Sequence, residues 1–198
     1  MSKSKMKSSI KFSISIAVIT FVLAAIFSIV SSSLLNKVTW YLGFVIVLMI
    51  VLIGILFDIL GIAPAAASEK PFHAMAAKKV KGAKESLFVV RNADRFASFC
   101  NDVIGDISGI VSGTALTVVL VQIGKILEVS EGSTFEIALS VMMTSILAAL
   151  TVGGKALGKT FALKSSTQVV LVAGKVIYFL EHTFKMQITK NSRSKKRR

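Results

Sequence analysis

The sequence predicts an all-α integral membrane protein with four transmembrane helices and further amphipathic helices at the cytoplasmic membrane surface. Two properties of the 198-residue chain support this fold class: 54% of its residues are hydrophobic, and its net charge is +14. Soluble domains are about 45–50% apolar even with glycine counted. So much apolar surface excludes a disordered chain, and a soluble nucleic-acid-binding domain would carry its basic residues on a more polar protein. We therefore expect a lipid bilayer, and no nucleic acid, as the partner.

The length of the chain limits the number of spans. A transmembrane helix needs about 20 residues, so the chain has room for four or five spans and for no separate catalytic domain. We expect a single transmembrane domain over residues 12–187. The only cysteine, Cys100, excludes an intrachain disulfide.

The first two spans follow a basic start. Residues 1–11 form a cytoplasmic N-terminus with four lysines and no acid. Residues 12–35 then carry no charge and form the first span, which is longer than the apolar core of a signal peptide and is therefore interpreted as an uncleaved helix. The second span, residues 40–62, opens with a Trp-Tyr pair typical of membrane interfaces. We expect Pro64 to end it.

An amphipathic helix is expected next, at about residues 69–90. Ser68 supplies its N-cap, and apolar side chains then recur at helical spacing with lysines between them. A helix of this composition lies on the membrane surface.

The second half of the chain contains two more spans, residues 99–127 and 135–154, separated by a polar acidic turn. A last amphipathic helix, residues 161–187, carries a polar stripe on one face, which favours the membrane interface over a fifth span. Residues 188–198 form a basic tail that we expect to be disordered.

Lysine and arginine are distributed very unequally between the two sides of the four spans. Residues 1–11, 63–98 and 155–198 carry 22 of the 24 basic residues. Because positively charged loops stay in the cytoplasm, both termini are predicted to be cytoplasmic in a multi-pass protein of the plasma or inner membrane. The basic surface would attract anionic lipids.

Polar side chains lie near the cytoplasmic ends of the predicted second and third spans. They are Asp58, Asn101, Asp102 and Asp106. An ionisable group within a span costs about 2.5–3.5 kcal/mol on insertion scales, so such residues indicate function. Because Mg²⁺ binds carboxylate, amide and water oxygens, these four residues are the predicted site for a divalent cation such as Mg²⁺, and no other cofactor is expected. The alternative is a structural ion pair in which Lys155 neutralises an aspartate.

A glycine ladder occupies the third span. Gly105, Gly109 and Gly113 repeat every four residues. Because small residues let helices approach closely in lipid, the ladder is predicted to pack helices, either within one bundle or along the seam of a homodimer.

Enzymatic motifs are missing from the sequence. It contains no G-x-S-x-G, Walker, G-x-G-x-x-G or H-E-x-x-H motif and no recognisable nucleophile–base arrangement. We therefore do not expect an enzyme.

Three stretches resemble the transmembrane domain of the cyclin-M/CorC (CorB/CorC-type) family: FDILGIAPAAASEKPFHAMAAKKVKGAKE, RNADRFASFCNDVIGDISGIVSG and TVGGKALGKTFALKSS. Members of that family are associated with Mg²⁺ and Co²⁺ transport or efflux. The resemblance runs over about residues 40–185 and leaves one additional N-terminal span. The CBS pair and the C-terminal domain of full-length members are not found in this sequence.

The resemblance is partial at the level of single residues. The positions that fit the family motifs are Asn101, Gly154, Lys159 and Thr160. The positions that depart are Ala63 and Lys155, where the family has acids, and Gly158, where it has proline. The resemblance implies transport or binding of a divalent cation. The alternative function is a non-transporting membrane scaffold or regulator that contains an Asp–Lys ion pair.

Overall fold

The structure, a computed structural model, describes residues 3–130 and 132–184. The basic tail expected at residues 188–198 lies outside this part of the chain. Within the described residues the secondary structure is entirely helical. The helices are α1 (Lys3–Leu35), α2 (Trp40–Ala66), α3 (Glu69–Ala77), α4 (Ala83–Arg91), α5 (Ala93–Ala97), a π-helical segment (Ser98–Gly105), α6 (Asp106–Ile126), α7 (Thr134–Lys164) and α8 (Ser166–Phe184).

Helices long and apolar enough to cross a membrane number four in the described residues. They are Phe12–Leu35, Trp40–Ala66, Ala93–Ile126 and Thr134–Lys164. The all-helical fold class and the four candidate spans are therefore confirmed. The last helix, α8, is not among them.

Two of these helices extend beyond the predicted spans. α2 continues through Pro64 to Ala66. Because this proline lies in the last turn, its missing N–H costs the helix a single hydrogen bond near its end. α7 continues to Lys164, ten residues past the expected end of the fourth span, because the lysines that follow Gly154 end the uncharged run without disfavouring a helix.

The amphipathic segment expected at residues 69–90 divides into α3 and α4. Ser68 is the N-cap of α3, as predicted, and its hydroxyl accepts a hydrogen bond from the Lys70 amide at 3.4 Å. The chain then turns sharply: Lys79 has φ 55° and Gly82 has φ 83°. Glycine adopts this left-handed conformation without strain. The turn between α3 and α4, which includes Gly82, therefore interrupts the single helix predicted for residues 69–90.

The described chain divides into two compact units. The first comprises the described residues of Met1–Phe57 and Asn101–Ala156, and the second those of Asp58–Cys100 and Leu157–Arg198. α2 and α7 therefore contribute residues to both.

The first unit is organised by close antiparallel packing of α2 on α6. A Cβ atom at Gly43 would lie 2.8 Å from Val119 Cγ2, and one at Gly54 would lie 2.9 Å from Ser108 Cβ. These glycines are eleven residues apart, which is about three helical turns, so both lie on the same face of α2. The apolar core between them includes Val47.

The end of α1 is attached to the same core. Leu35 is fully buried in it, and Gln122 Nε2 of α6 donates a hydrogen bond to the Leu35 carbonyl at 2.8 Å. This bond satisfies a carbonyl that the last turn of a helix leaves without an intrahelical partner. Nearer its middle, α1 packs on α6 through Leu23 and Ala24, which contact a cluster containing Ile107.

The second unit has its own core, which contains Phe72 of α3, Val89 of α4 and Val170 of α8, all fully buried. α8 buries one apolar strip in this core, while its outer surface carries both polar and apolar side chains. Its exposed apolar residues are Val172, Val176, Phe179 and Leu180, and its exposed polar residues include Gln168, Lys175 and His182. The helix is therefore amphipathic. The helix expected at residues 161–187 begins only at Ser166, because residues 161–164 belong to α7; residues 185–187 lie outside the described part of the chain.

Candidate functional site

The first feature of the candidate site is the π-helical segment Ser98–Gly105, which precedes α6 in the third candidate span. In a π-helix each N–H bonds the carbonyl five residues earlier, which widens the turn and shifts the side chains that follow relative to an α-helix. Such segments are rare and are frequent at functional sites. Two predicted metal ligands, Asn101 and Asp102, lie inside it, and Asp106 begins the α-helix that follows.

Asn101, inside the π-helical segment, has a side-chain oxygen in an unusual environment. Its side chain is partly buried, and its Oδ1 atom is shielded from solvent without any hydrogen-bond partner. A buried polar atom left without a partner costs about 1–3 kcal/mol. Such an oxygen is therefore an acceptor available to a ligand, and the only other described side-chain atom in this state is Ser31 Oγ.

The aspartates occupy different surroundings. Asp102 of the π-helical segment and Asp106, the first residue of α6, are both exposed and lie about one turn apart. Asp58 is partly buried, belongs to the second unit, and makes a polar or electrostatic interaction. Lys155, the predicted ion-pair partner, is a partly buried residue of the first unit and is likewise engaged in an interaction.

Metal-binding side chains of the usual kind do not converge in the described residues. No group of three or more His, Cys, Asp or Glu that could hold a metal ion occurs in residues 3–130 and 132–184. A cation at the π-helical segment would therefore be held by neutral oxygens, chiefly the Asn101 amide and water, with Asp102 as a nearby charge. Mg²⁺ suits such a site because it usually retains several of its waters.

The three glycines of the ladder have different surroundings. Gly105 is buried, and its carbonyl oxygen lies 3.7 Å from the position of a Cβ on Gly54, in the contact between α6 and α2. A Cβ at Gly109 or Gly113 would meet nothing within 4 Å. The close approach within the chain thus occurs at Gly54 and Ser108. Gly54 was not predicted, although a glycine in an otherwise bulky apolar helix was an available signal.

A polar cluster joins α3 and α4 in the second unit. Arg91 Nε donates a hydrogen bond to Glu69 Oε2 at 2.9 Å, and Arg91 Nη2 lies 2.8 Å from the same oxygen in a salt bridge. His73 Nε2 lies 3.3 Å from that oxygen. The guanidinium beside it lowers the pKa of the Glu69 carboxyl, and the carboxylate raises the pKa of Arg91. The sequence analysis did not predict this cluster.

The basic side chains between α3 and the start of α4 point outward. Lys78, Lys79, Lys81 and Lys84 are all exposed. These four lysines place positive charge on the segment that was expected to lie against the membrane.

Comparison of the chain with protein-family models, with curated proteins and with solved structures yields no match.

Proposed function

We propose that this chain is a multi-pass membrane protein that binds and transports a divalent cation, Mg²⁺ in the first instance, at the π-helical segment of its third span. The observation that carries the proposal is the buried Asn101 Oδ1, which has no hydrogen-bond partner. Asn101 is also the position at which the sequence resembles the membrane asparagine of the cyclin-M/CorC family. Nothing in the comparisons bears on that resemblance, so the chemistry of the segment is the main support.

The electrostatics of the segment favour a cation over an anion. Asp102 and Asp106 lie on the first turns after Asn101 and bring two negative charges to the same end of the span. Carbonyl, amide and carboxylate oxygens bind hard cations, and the attraction between charges is stronger where water is scarce. A hydrated Mg²⁺ that gives up one water to Asn101 Oδ1 would keep the others for the aspartates.

The test compares Mg²⁺ uptake by proteoliposomes that contain the wild-type chain, Asn101→Leu or Asp106→Asn, followed with a fluorescent Mg²⁺ indicator. Loss of uptake in Asn101→Leu and reduced uptake in Asp106→Asn are expected. Asp94→Asn is the matched control, because Asp94 is an exposed acid at the start of α5 outside the segment. Negligible uptake by the wild-type chain, or equal uptake by all four proteins, would contradict the proposal.

The proposed topology places both termini and the basic α3–α4 surface in the cytoplasm of a plasma or inner membrane. The positive-inside distribution supports it. A cysteine at exposed position Ser130 should react with an impermeant maleimide in intact cells, whereas one at exposed position Lys81 should react only after permeabilisation. Cys100 gives little background because it is 2% exposed. The reverse pattern of labelling would contradict the proposed topology and indicate the opposite one.

A scaffold without transport activity is the second candidate, favoured by the partly buried Lys155 and its interaction. In that case Lys155→Ala should destabilise the helical bundle, and removal of its acidic partner as well should restore part of the loss. Uptake of Mg²⁺ would then be absent from the wild-type chain. If Lys155→Ala leaves the stability of the bundle unchanged, this candidate loses its basis.

A homodimer remains part of the proposal. The mass of the protein in nanodiscs measures whether it forms.

A further inference from the structure

A cavity of about 180 Å³ lies between α1, α2 and α6 of the first unit. Its walls are almost entirely aliphatic, with only two hydroxyl groups, those of Ser31 and Ser108. Phe27 and Val30 on its α1 side are about half exposed, at 50% and 51%. The cavity is therefore reached from the apolar outer surface of the helices.

Ser31 differs from the other serines and threonines of the spans. It is only 7% exposed, and its Oγ has no hydrogen-bond partner. A hydroxyl within a helix commonly donates to a carbonyl three or four residues earlier, as Ser108 Oγ does to Ile104 at 2.8 Å and Ser112 Oγ to Gly109 at 2.9 Å. The Ser31 hydroxyl thus lines an apolar cavity with its donor unused.

The size and position of the cavity define the ligand. An apolar cavity of roughly 150 Å³ binds benzene, so about 180 Å³ accommodates about six or seven carbons. The α2 wall runs from Ile46 to Ile53, seven residues or about 10 Å along the helix. Ser31 lies four residues, or about 6 Å, before the end of α1 at Leu35. The single free donor is therefore near the end of the span, and the apolar remainder extends towards its middle.

We propose that this cavity binds one acyl chain of a phospholipid in the leaflet where α1 ends, with the ester carbonyl accepting a hydrogen bond from Ser31 Oγ. A phospholipid fits because its ester carbonyl lies near the membrane interface while its methylenes extend inward. The first six or seven methylenes fill the space beside Ile50 and Ile53. The inference rests on the proposed membrane insertion but not on cation transport.

The experiment uses the full chain in nanodiscs that contain a small fraction of phosphatidylcholine with a diazirine in one acyl chain. After irradiation, the sites of cross-linking are mapped by mass spectrometry. Labelling near Ile50 is divided by labelling at Val141 of α7, which is 59% exposed and reports contact with bulk lipid. A ratio well above one is expected for the wild-type chain.

Variants then separate the hydrogen bond from the apolar space. Because a hydrogen bond contributes on the order of fivefold in occupancy, Ser31→Ala should lower the ratio about fivefold. Ser112→Ala, which removes a buried hydroxyl already bonded within its helix, should leave the ratio unchanged. Ile50→Trp should abolish the excess because the indole fills the cavity.

Three results would overturn the inference. They are a wild-type ratio near one, equal ratios for Ser31→Ala and Ser112→Ala, and absence of labelling at every position including Val141. The last result would also overturn membrane insertion. Failure of Mg²⁺ uptake leaves the ratio unaffected, and Asn101→Leu should label like the wild-type chain, so the two proposals fail independently.

Discussion

Replacing Gly174 with alanine should open the contact between α4 and α8 in the second unit. A Cβ atom at this position would collide with Ser86 Oγ and the Gly82 carbonyl oxygen, and it would lie 2.8 Å from Ser86 N. Ser86 Oγ is itself bonded to the Gly82 carbonyl at 2.8 Å and to the Val170 carbonyl at 3.1 Å. The glycine is therefore required by the backbone and side chain of the opposite helix.

The magnitude follows from the separation that the new methyl group imposes. Moving Ser86 N from 2.8 Å to an ordinary contact at 3.4 Å displaces α4 by at least about 0.6 Å, the difference of the two distances. A gap of 0.5–1 Å forfeits about a quarter to a half of a dispersion contact, and overpacking of this kind costs about 1–3 kcal/mol. Loss of the Ser86–Val170 bond adds about 1 kcal/mol. The expected destabilisation is about 2–4 kcal/mol.

Hydrogen exchange of the α4 and α8 amides measures this change locally. Because 1.4 kcal/mol is a factor of ten, exchange should accelerate by about 30- to 700-fold. Gly153→Ala is the control, since a Cβ there meets nothing within 4 Å, and it should leave exchange in α4 and α8 unchanged. In Gly174→Ala combined with Ser86→Ala, the loss should be smaller than the sum of the single losses. Wild-type exchange rates in Gly174→Ala would refute the reasoning.

Two further predictions concern polar contacts. Gln122→Leu should destabilise the end of α1 by about 1 kcal/mol, because it removes the donor to the Leu35 carbonyl at 2.8 Å; faster amide exchange confined to the last turns of α1 and α6 would show this, and unchanged exchange would contradict it. Because Arg91 lowers the pKa of Glu69 from its ordinary value of 4.5, the pair stabilises the fold fully above pH 4.5, and the contribution is lost as pH falls through the lowered pKa. The unfolding temperatures of the wild-type chain and Glu69→Gln should therefore differ at pH 7 and converge in acid, and a difference that grows in acid would reverse the assignment.

The long helices could be predicted because each contains a long run of residues without a charged side chain. Residues 12–35 carry no charged side chain, and a helix is one of only two structures that satisfy every backbone group in lipid. Helix ends were less predictable. A proline such as Pro64 disrupts only the turn before it, so its effect depends on whether that turn is already the last one.

The packing faces were harder to predict because α2 is apolar on every side. A helix of this kind has no polar face from which to infer its orientation. The face of α2 that packs on α6 is marked by glycines. Gly43 and Gly54 lie three turns apart on that face, and their lack of a side chain allows α6 to approach closely. Gly109 and Gly113 also lie on one face of their helix, yet a Cβ atom at either position would meet nothing within 4 Å. Small residues therefore indicate where a close approach is allowed, and the bulk of the opposite side chains decides where it occurs.

Charge alone is an incomplete guide to the candidate site. Asp102 and Asp106 drew attention because ionised groups in a span are costly, but both side chains are exposed. Asn101 carries no charge and ranks low on that criterion. Its Oδ1 is nevertheless buried and without a partner, and the residue lies in the π-helical segment. The cost of an unsatisfied acceptor is recovered only when a donor or a cation arrives. Asn101 is therefore the better position at which to test the proposed cation binding, and the aspartates are the better positions at which to test whether charge changes its strength.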